Sequence, residues 1–178
     1  VGWMWVEPDG HLLADESWAR QRVYGQRYFQ AKFWKGALVC WLPDTFGYTA
    51  NLPQLLQQGG IPYFFTTKLN WNETNTFPHD LYYWEGIDGS RVIAHSFLNP
   101  NQGYNGNVLA LDLGETWKNF KGKTQHDTSL FSIDWGDGGG GTTFEMLERF
   151  TRLQDFPGMP KLQMGRVEDF YKEVEGRK

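Results

Sequence analysis

Three features of the sequence predict an α/β fold built on a mainly parallel sheet or barrel. Short apolar runs alternate with helix-like stretches along the chain. Several runs are apolar without the in–out alternation of a half-exposed strand. Most end at a turn signal rich in Pro, Gly or Asp. The first run, Gly2-Trp3-Met4-Trp5-Val6, stops at Pro8-Asp9-Gly10. Asp15 is then placed to cap a helix over residues 15–34, on which Trp18, Ala19, Val23, Phe29, Phe33 and Trp34 share one broad face. The continuously apolar run 37–42 reads as a strand covered on both faces and ends at Pro43-Asp44. A short helix over 51–58 follows, with Pro53 in its first turn and Gly59-Gly60 beyond its end.

Residues 63–67 are the next strand, and the runs 81–84 and 91–95 flank Asp88-Gly89 as a hairpin with a local Asp88–Arg91 pair expected. Residues 99–126 are polar and rich in Asn and Gly, and assign no element. A strand over 129–133 leads into the glycine run at 136–141. Thr142 and Glu145 form a capping box for a helix that turns Phe144, Leu147, Phe150 and Leu153 inward. A strand over 161–164 and a helix over 167–174 complete the series.

Composition bounds the function. The 178 residues carry 17 Lys+Arg against 21 Asp+Glu, a net charge of −4, which offers no basic stripe to displace counterions from nucleic acid. The single Cys40 excludes a disulfide framework and a cysteine-based zinc site. No apolar run approaches the ~20 residues that cross a bilayer. Aromatic residues make up 17% of the chain, which suits the flat apolar faces of sugars, although core packing accounts for aromatics equally well.

In parallel α/β folds, chemistry sits on the loops at the carboxyl ends of strands. Those loops here carry Glu7-Pro8-Asp9, Pro43-Asp44-Thr45, Thr67-Lys68 and Gly136-Asp137-Gly138, three of the four with carboxylates. The glycine run nearly imitates a phosphate loop, but Thr142 stands where the lysine is needed and Asp137 would repel phosphate. Asp44 follows a buried strand, with a helix start a few residues on to favour its ionised form, and it is open to roles as nucleophile, metal ligand or cap. Asp44 with Asp137 suggests glycoside hydrolysis, in which a retaining enzyme needs two carboxyl groups about 5–5.5 Å apart. His11, His79, His95 and His126 are scattered without metal-ligand spacing.

Several stretches, in order, are similar to the catalytic domain of glycoside hydrolase family 38 α-mannosidases, in particular the cytosolic, vacuolar and bacterial branch. They are residues 5–9, Arg20-Gln21 with Gly25-Gln26, 41–48, 52–54, 67–71, 77–79 with 84–90, and 136–141. The resemblance covers nearly the whole chain. It implies a portion of a seven-stranded β/α barrel, a retaining double displacement and a Zn2+ ion that binds adjacent mannose hydroxyls. It implies that Asp44 is both nucleophile and zinc ligand, that Asp137 is the acid/base candidate, that Phe46 lines the mannose subsite, and that Lys68 supports the nucleophile and belongs to the substrate-binding set. Tyr104 is a further candidate to touch substrate. An α-mannoside glycan or oligosaccharide is the implied substrate and the cytoplasm the implied compartment, with no nucleic-acid or membrane partner.

Of the four zinc ligands the family uses, Asp44 alone is in this chain; the upstream HxD motif and the later histidine are not among residues 1–178. The chain is therefore expected to be a partial catalytic domain that acts with the remainder of a mannosidase chain and is inactive by itself. Trp34 stands where a glycine is usual, and Thr142 where the branch has proline. The residues leave two alternatives open: a glycan-binding module using aromatic platforms, and a metal-independent hydrolase of a related barrel fold.

Overall fold

Four strands form one sheet in the order β1-β2-β4-β3, with β1 at Val39–Trp41, β2 at Tyr63–Thr66, β3 at Leu81–Glu85 and β4 at Arg91–Ser96. β1, β2 and β4 run parallel, and β3 pairs antiparallel with β4 through the hairpin read from Asp88-Gly89. The mainly parallel α/β prediction therefore holds, as a four-stranded sheet. This computed structural model describes residues 2–97, 105–136 and 139–177. It divides into two compact units, Val1–Ser96 with Val167–Lys178, and Phe97–Arg166.

In the first unit the three parallel strands are covered on both faces, which explains runs without polar alternation, while the edge strand β3 is partly exposed. On one side, α2 (Leu52–Gln58) brings Leu52 and Leu56 onto Cys40, Phe64 and Ala94, with Trp3, Met4 and Trp18 completing the core. On the other, α5 (Val167–Gly176) stacks Tyr171 on Tyr63 at 4.8 Å and sets Phe170 edge-on to His95. The Tyr171 hydroxyl donates to the Phe64 carbonyl, so its polar end is satisfied within the core.

Helix α1 (Asp15–Phe33) differs from its sequence reading. Ala14, not Asp15, is the N-cap, and Asp15 is the first helical residue, where its charge suits the helix dipole. The buried residues are Trp18 and Gly25, while Ala19, Val23, Phe33 and Trp34 are exposed. The inward stripe runs Trp18, Gln21, Gly25, Phe29, and a polar and a glycine position hide it from an apolar-period search. Both polar and small positions have structural uses. A Cβ on Gly25 would lie 2.4 Å from the Trp3 carbonyl oxygen, and the Gln26 side chain bonds both backbone groups of Ala37.

Other expectations are corrected. Arg91 pairs with Glu85, its cross-strand partner, while Asp88 binds Ser90 within the turn. In the second unit α3 spans Ala110–Asn119, inside the stretch that assigned no element. Helix α4 spans Phe144–Leu153 and is capped by the Thr143 hydroxyl, which accepts from the Met146 N–H at 3.2 Å. Thr142 lies outside the helix, and Glu145 pairs with Arg149. The inward face is accordingly Met146, Phe150 and Leu153, and Phe144 and Leu147 are exposed. Residues 129–133 and 161–164 are not strands. Ile133 makes one isolated bridge, to Gly106, and Phe131, Ile133 and Leu162 pack on the Val108–Leu113–Met146 cluster instead.

Two glycine-related substitutions should act in opposite directions. Gly25→Ala favours an isolated helix by ~1 kcal/mol, but the clash with Trp3 and Met4 should make it net destabilising by about 1–3 kcal/mol. Trp34 caps α1 in the left-handed conformation, φ 56°, and is 85% exposed. Trp34→Gly relieves that backbone at little cost in packing and should stabilise by about 0.5–1 kcal/mol. Chemical denaturation of both variants checks the pair; stabilisation by Gly25→Ala would contradict the packing described.

Candidate active site

The parallel register sets the site. Trp41 faces Phe65 as the last paired rung of β1 and β2. Two further hydrogen bonds carry the alignment beyond the strands, from the Leu42 N–H to the Phe65 carbonyl at 3.0 Å and from the Thr67 N–H to the Pro43 carbonyl at 3.2 Å. Asp44 lies three residues past Trp41 and Lys68 three past Phe65, so equal steps from a shared rung bring them out side by side. Their side chains form an ion pair between Lys68 Nζ and Asp44 Oδ1. The Lys68 side chain is 10% exposed and the Asp44 side chain 41% exposed. A nearly buried ammonium needs an anionic partner; the carboxylate meets that need while keeping one side open to a ligand.

The helix expected near Asp44 starts only at Leu52, and the Lys68 ammonium is the positive group beside its carboxylate. Lys68 is held from several directions. Its Nζ lies 4.7 Å from the Phe46 ring centre and 4.2 Å from that of Trp71, within cation–π range of both. Its backbone N–H donates to Thr66 Oγ1 at 3.1 Å. That hydroxyl also bonds the Tyr48 hydroxyl, which donates to the Leu42 carbonyl at 2.7 Å. Burial pushes the Tyr48 phenol well up from its ordinary pKa, partly offset by the Thr66 bond, so it stays a proton donor.

On the other flank, Glu7 Oε1 accepts from the Asp44 N–H at 3.1 Å and from Thr45 Oγ1 at 3.0 Å. Beside the ion pair opens a cavity of about 550 Å³ lined by Phe46, Lys68, Trp71, Phe77, Tyr82 and Trp84 among others. Burial raises the Tyr82 phenol pKa too, with the Asp80 carboxylate adding to the shift. The setting combines an accessible carboxylate, a fixed cation and aromatic walls, suited to a polar ligand with apolar faces.

Of the residues marked out in the sequence, the structure brings Asp44, Phe46 and Lys68 together. Asp137 and Tyr104 lie outside the described residues. Glu7, Tyr48, Thr66 and Trp71 were not singled out as site residues. The equal offsets from the β1 and β2 runs were the available signal for the Thr66–Lys68 side, once the pairing was assumed.

A family profile described as "Glycosyl hydrolases family 38 N-terminal domain" matches residues 1–178. The chain belongs to glycosyl hydrolase family 38. Among its relatives, Alpha-mannosidase G of Dictyostelium discoideum is 43% identical over 175 residues, covering 98% of this chain and 16% of that protein. Alpha-mannosidase 2C1 of Homo sapiens is 42% identical over 175 residues, covering 98% and 17%. The solved structure of an alpha-mannosidase from Enterococcus faecalis V583 superposes with a TM-score of 0.69 at 17% identity, covering 98% of this chain and 20% of that one, and so shares its fold. The chain thus spans about a sixth of the length of the curated relatives.

The described residues of this family 38 chain do not by themselves fit a zinc site. Among the described residues, no three or more His, Cys, Asp or Glu side chains cluster closely enough to hold a metal ion. Calorimetric titration of residues 1–178 with zinc should therefore give binding weaker than micromolar. Micromolar or tighter binding would mean that this chain assembles a ligand set of its own.

Proposed function

We propose that the protein carrying this chain is a retaining, zinc-dependent α-mannosidase, and that residues 1–178 are part of its catalytic domain, a portion of a seven-stranded β/α barrel. It hydrolyses terminal α-mannosides of a glycan or oligosaccharide in the cytoplasm, with the remainder of the mannosidase chain completing the site. Support comes from family membership together with one observation: an exposed carboxylate, Asp44, ion-paired to Lys68 at the ends of adjacent parallel strands beside an aromatic cavity.

In this reading Asp44 is the nucleophile. The Lys68 ammonium pairs with its carboxylate and restrains the oxygen that is not attacking. Asp44 forms a bond to the anomeric carbon as the bond to the leaving oxygen breaks, and Asp137, the acid/base candidate, gives that oxygen its proton. Water activated by the same residue then releases mannose, so two inversions retain the configuration. Phe46 and Tyr104 contact the sugar, Phe46 through a ring that is 77% exposed. Asp44 is also the zinc ligand that this chain contributes.

In the full-length protein, Asp44→Ala should lower turnover of an aryl α-mannoside by about a thousandfold or more. NMR of the wild-type reaction should show α-mannose as the first-formed anomer. Near-normal rates in Asp44→Ala, or β-mannose formed first, would contradict the nucleophile assignment.

A further inference from the structure

The nucleophile loop is held from outside its own strand by a residue 37 positions earlier. Glu7 Oε1 accepts two hydrogen bonds, from the Asp44 backbone N–H at 3.1 Å and from Thr45 Oγ1 at 3.0 Å. Thr45 is 4% exposed, so its hydroxyl needs a protein partner, and Glu7 supplies it. Hydrogen bonds to a charged acceptor are stronger than neutral ones, and two converging on one oxygen fix the loop in direction as well as distance.

The segment bearing Glu7 is anchored in turn. The Trp5 N–H donates to the Gln21 carbonyl at 3.0 Å, and the Val6 N–H to Gln21 Oε1 at 3.0 Å. Gln21 sits on the inward stripe of α1, so a rigid helix positions residues 5 and 6, and these deliver Glu7 to the loop. A second carboxylate beside a nucleophilic one is electrostatically unfavourable. Its placement is accounted for by the two donors it satisfies.

We propose that Glu7 is a positioning residue for the reaction, fixing Asp44 through its backbone and Thr45 through its hydroxyl, with Gln21 holding Glu7 in place. This rests on Asp44 being the nucleophile. Glu7 does not touch substrate; it limits the wander of the attacking oxygen, where a displacement near 1 Å can cost about a hundredfold in rate.

The test uses the full-length protein and a fluorinated mannosyl fluoride, which traps the covalent intermediate. The trapping rate is followed by inactivation, and the labelled residue is mapped by mass spectrometry. Glu7→Ala should slow trapping and kcat by about 10- to 100-fold while KM changes by less than about threefold, as expected when geometry in the transition state is lost rather than ground-state binding. Glu7→Gln keeps an oxygen that can accept both bonds and should retain the rate to within about threefold. Gln21→Ala, which keeps the backbone contact to Trp5 and removes the one to Val6, should slow trapping by about threefold or more and keeps the question answerable if Glu7→Ala fails to fold.

Glu7→Ala, or Gln21→Ala in its place, trapped at the wild-type rate would overturn the positioning role. A Glu7→Gln enzyme as slow as Glu7→Ala would overturn the hydrogen-bond basis, since charge alone would then matter. A wild-type enzyme that turns over substrate but is labelled elsewhere than Asp44 would instead refute the functional reading beneath it.

Discussion

The alignment of β1 with β2 is the constraint on which the site depends. Trp41 and Phe65 share a rung and stack at 4.0 Å, nearly parallel at 9°. Every later pairing follows from that rung: Leu42 with Phe65, Thr67 with Pro43, and finally Asp44 with Lys68. A slip of one residue would turn the side chains of β2 to the opposite face of the sheet, because side chains alternate along a strand, and would break the match between Asp44 and Lys68 beyond it. Burial on both faces makes such a slip expensive, since β2 is buried throughout and sits between α2 on one side and α5 on the other. The ion pair is thus a consequence of packing that occurs some distance from it.

Much of the first unit was legible in the sequence, for identifiable reasons. β1, β2 and α2 announce themselves through uninterrupted apolar runs and the Gly59-Gly60 stop, and the hairpin through Asp88-Gly89. The face of α1 was legible only at Trp18 and Phe29, because its other contacts use the amides of Gln21 and Gln26 and the missing side chain of Gly25, none of which register as apolar. Residues 129–133 and 161–164 have strand-like composition, yet their side chains fill the α3–α4 cluster and their backbone forms no ladder. Apolar pattern reports burial; strand identity also needs a partner for the backbone.

The candidate site divides in the same way. Asp44, Phe46 and Lys68 were recognisable because they sit in short motifs that resemble the family. The side chains that hold them were not, since Glu7 to Asp44 and Tyr48 to Thr66 are contacts between distant segments that only the fold creates. The aromatic excess resolves into separate uses. Trp41 with Phe65 and Tyr63 with Tyr171 stack within or against the sheet, whereas Phe46 and Trp71 flank the Lys68 ammonium and remain half-exposed or more.

If the register creates the Asp44–Lys68 pair, the two side chains must be energetically coupled. A double-mutant cycle on unfolding free energy, with Asp44→Asn, Lys68→Met and the double variant, measures that coupling directly. The account predicts a favourable interaction of about 0.5 kcal/mol or more, weakened by salt because Asp44 is partly open to solvent. Strict additivity of the two substitutions at low salt would contradict it, and with it the geometry from which the proposed chemistry starts.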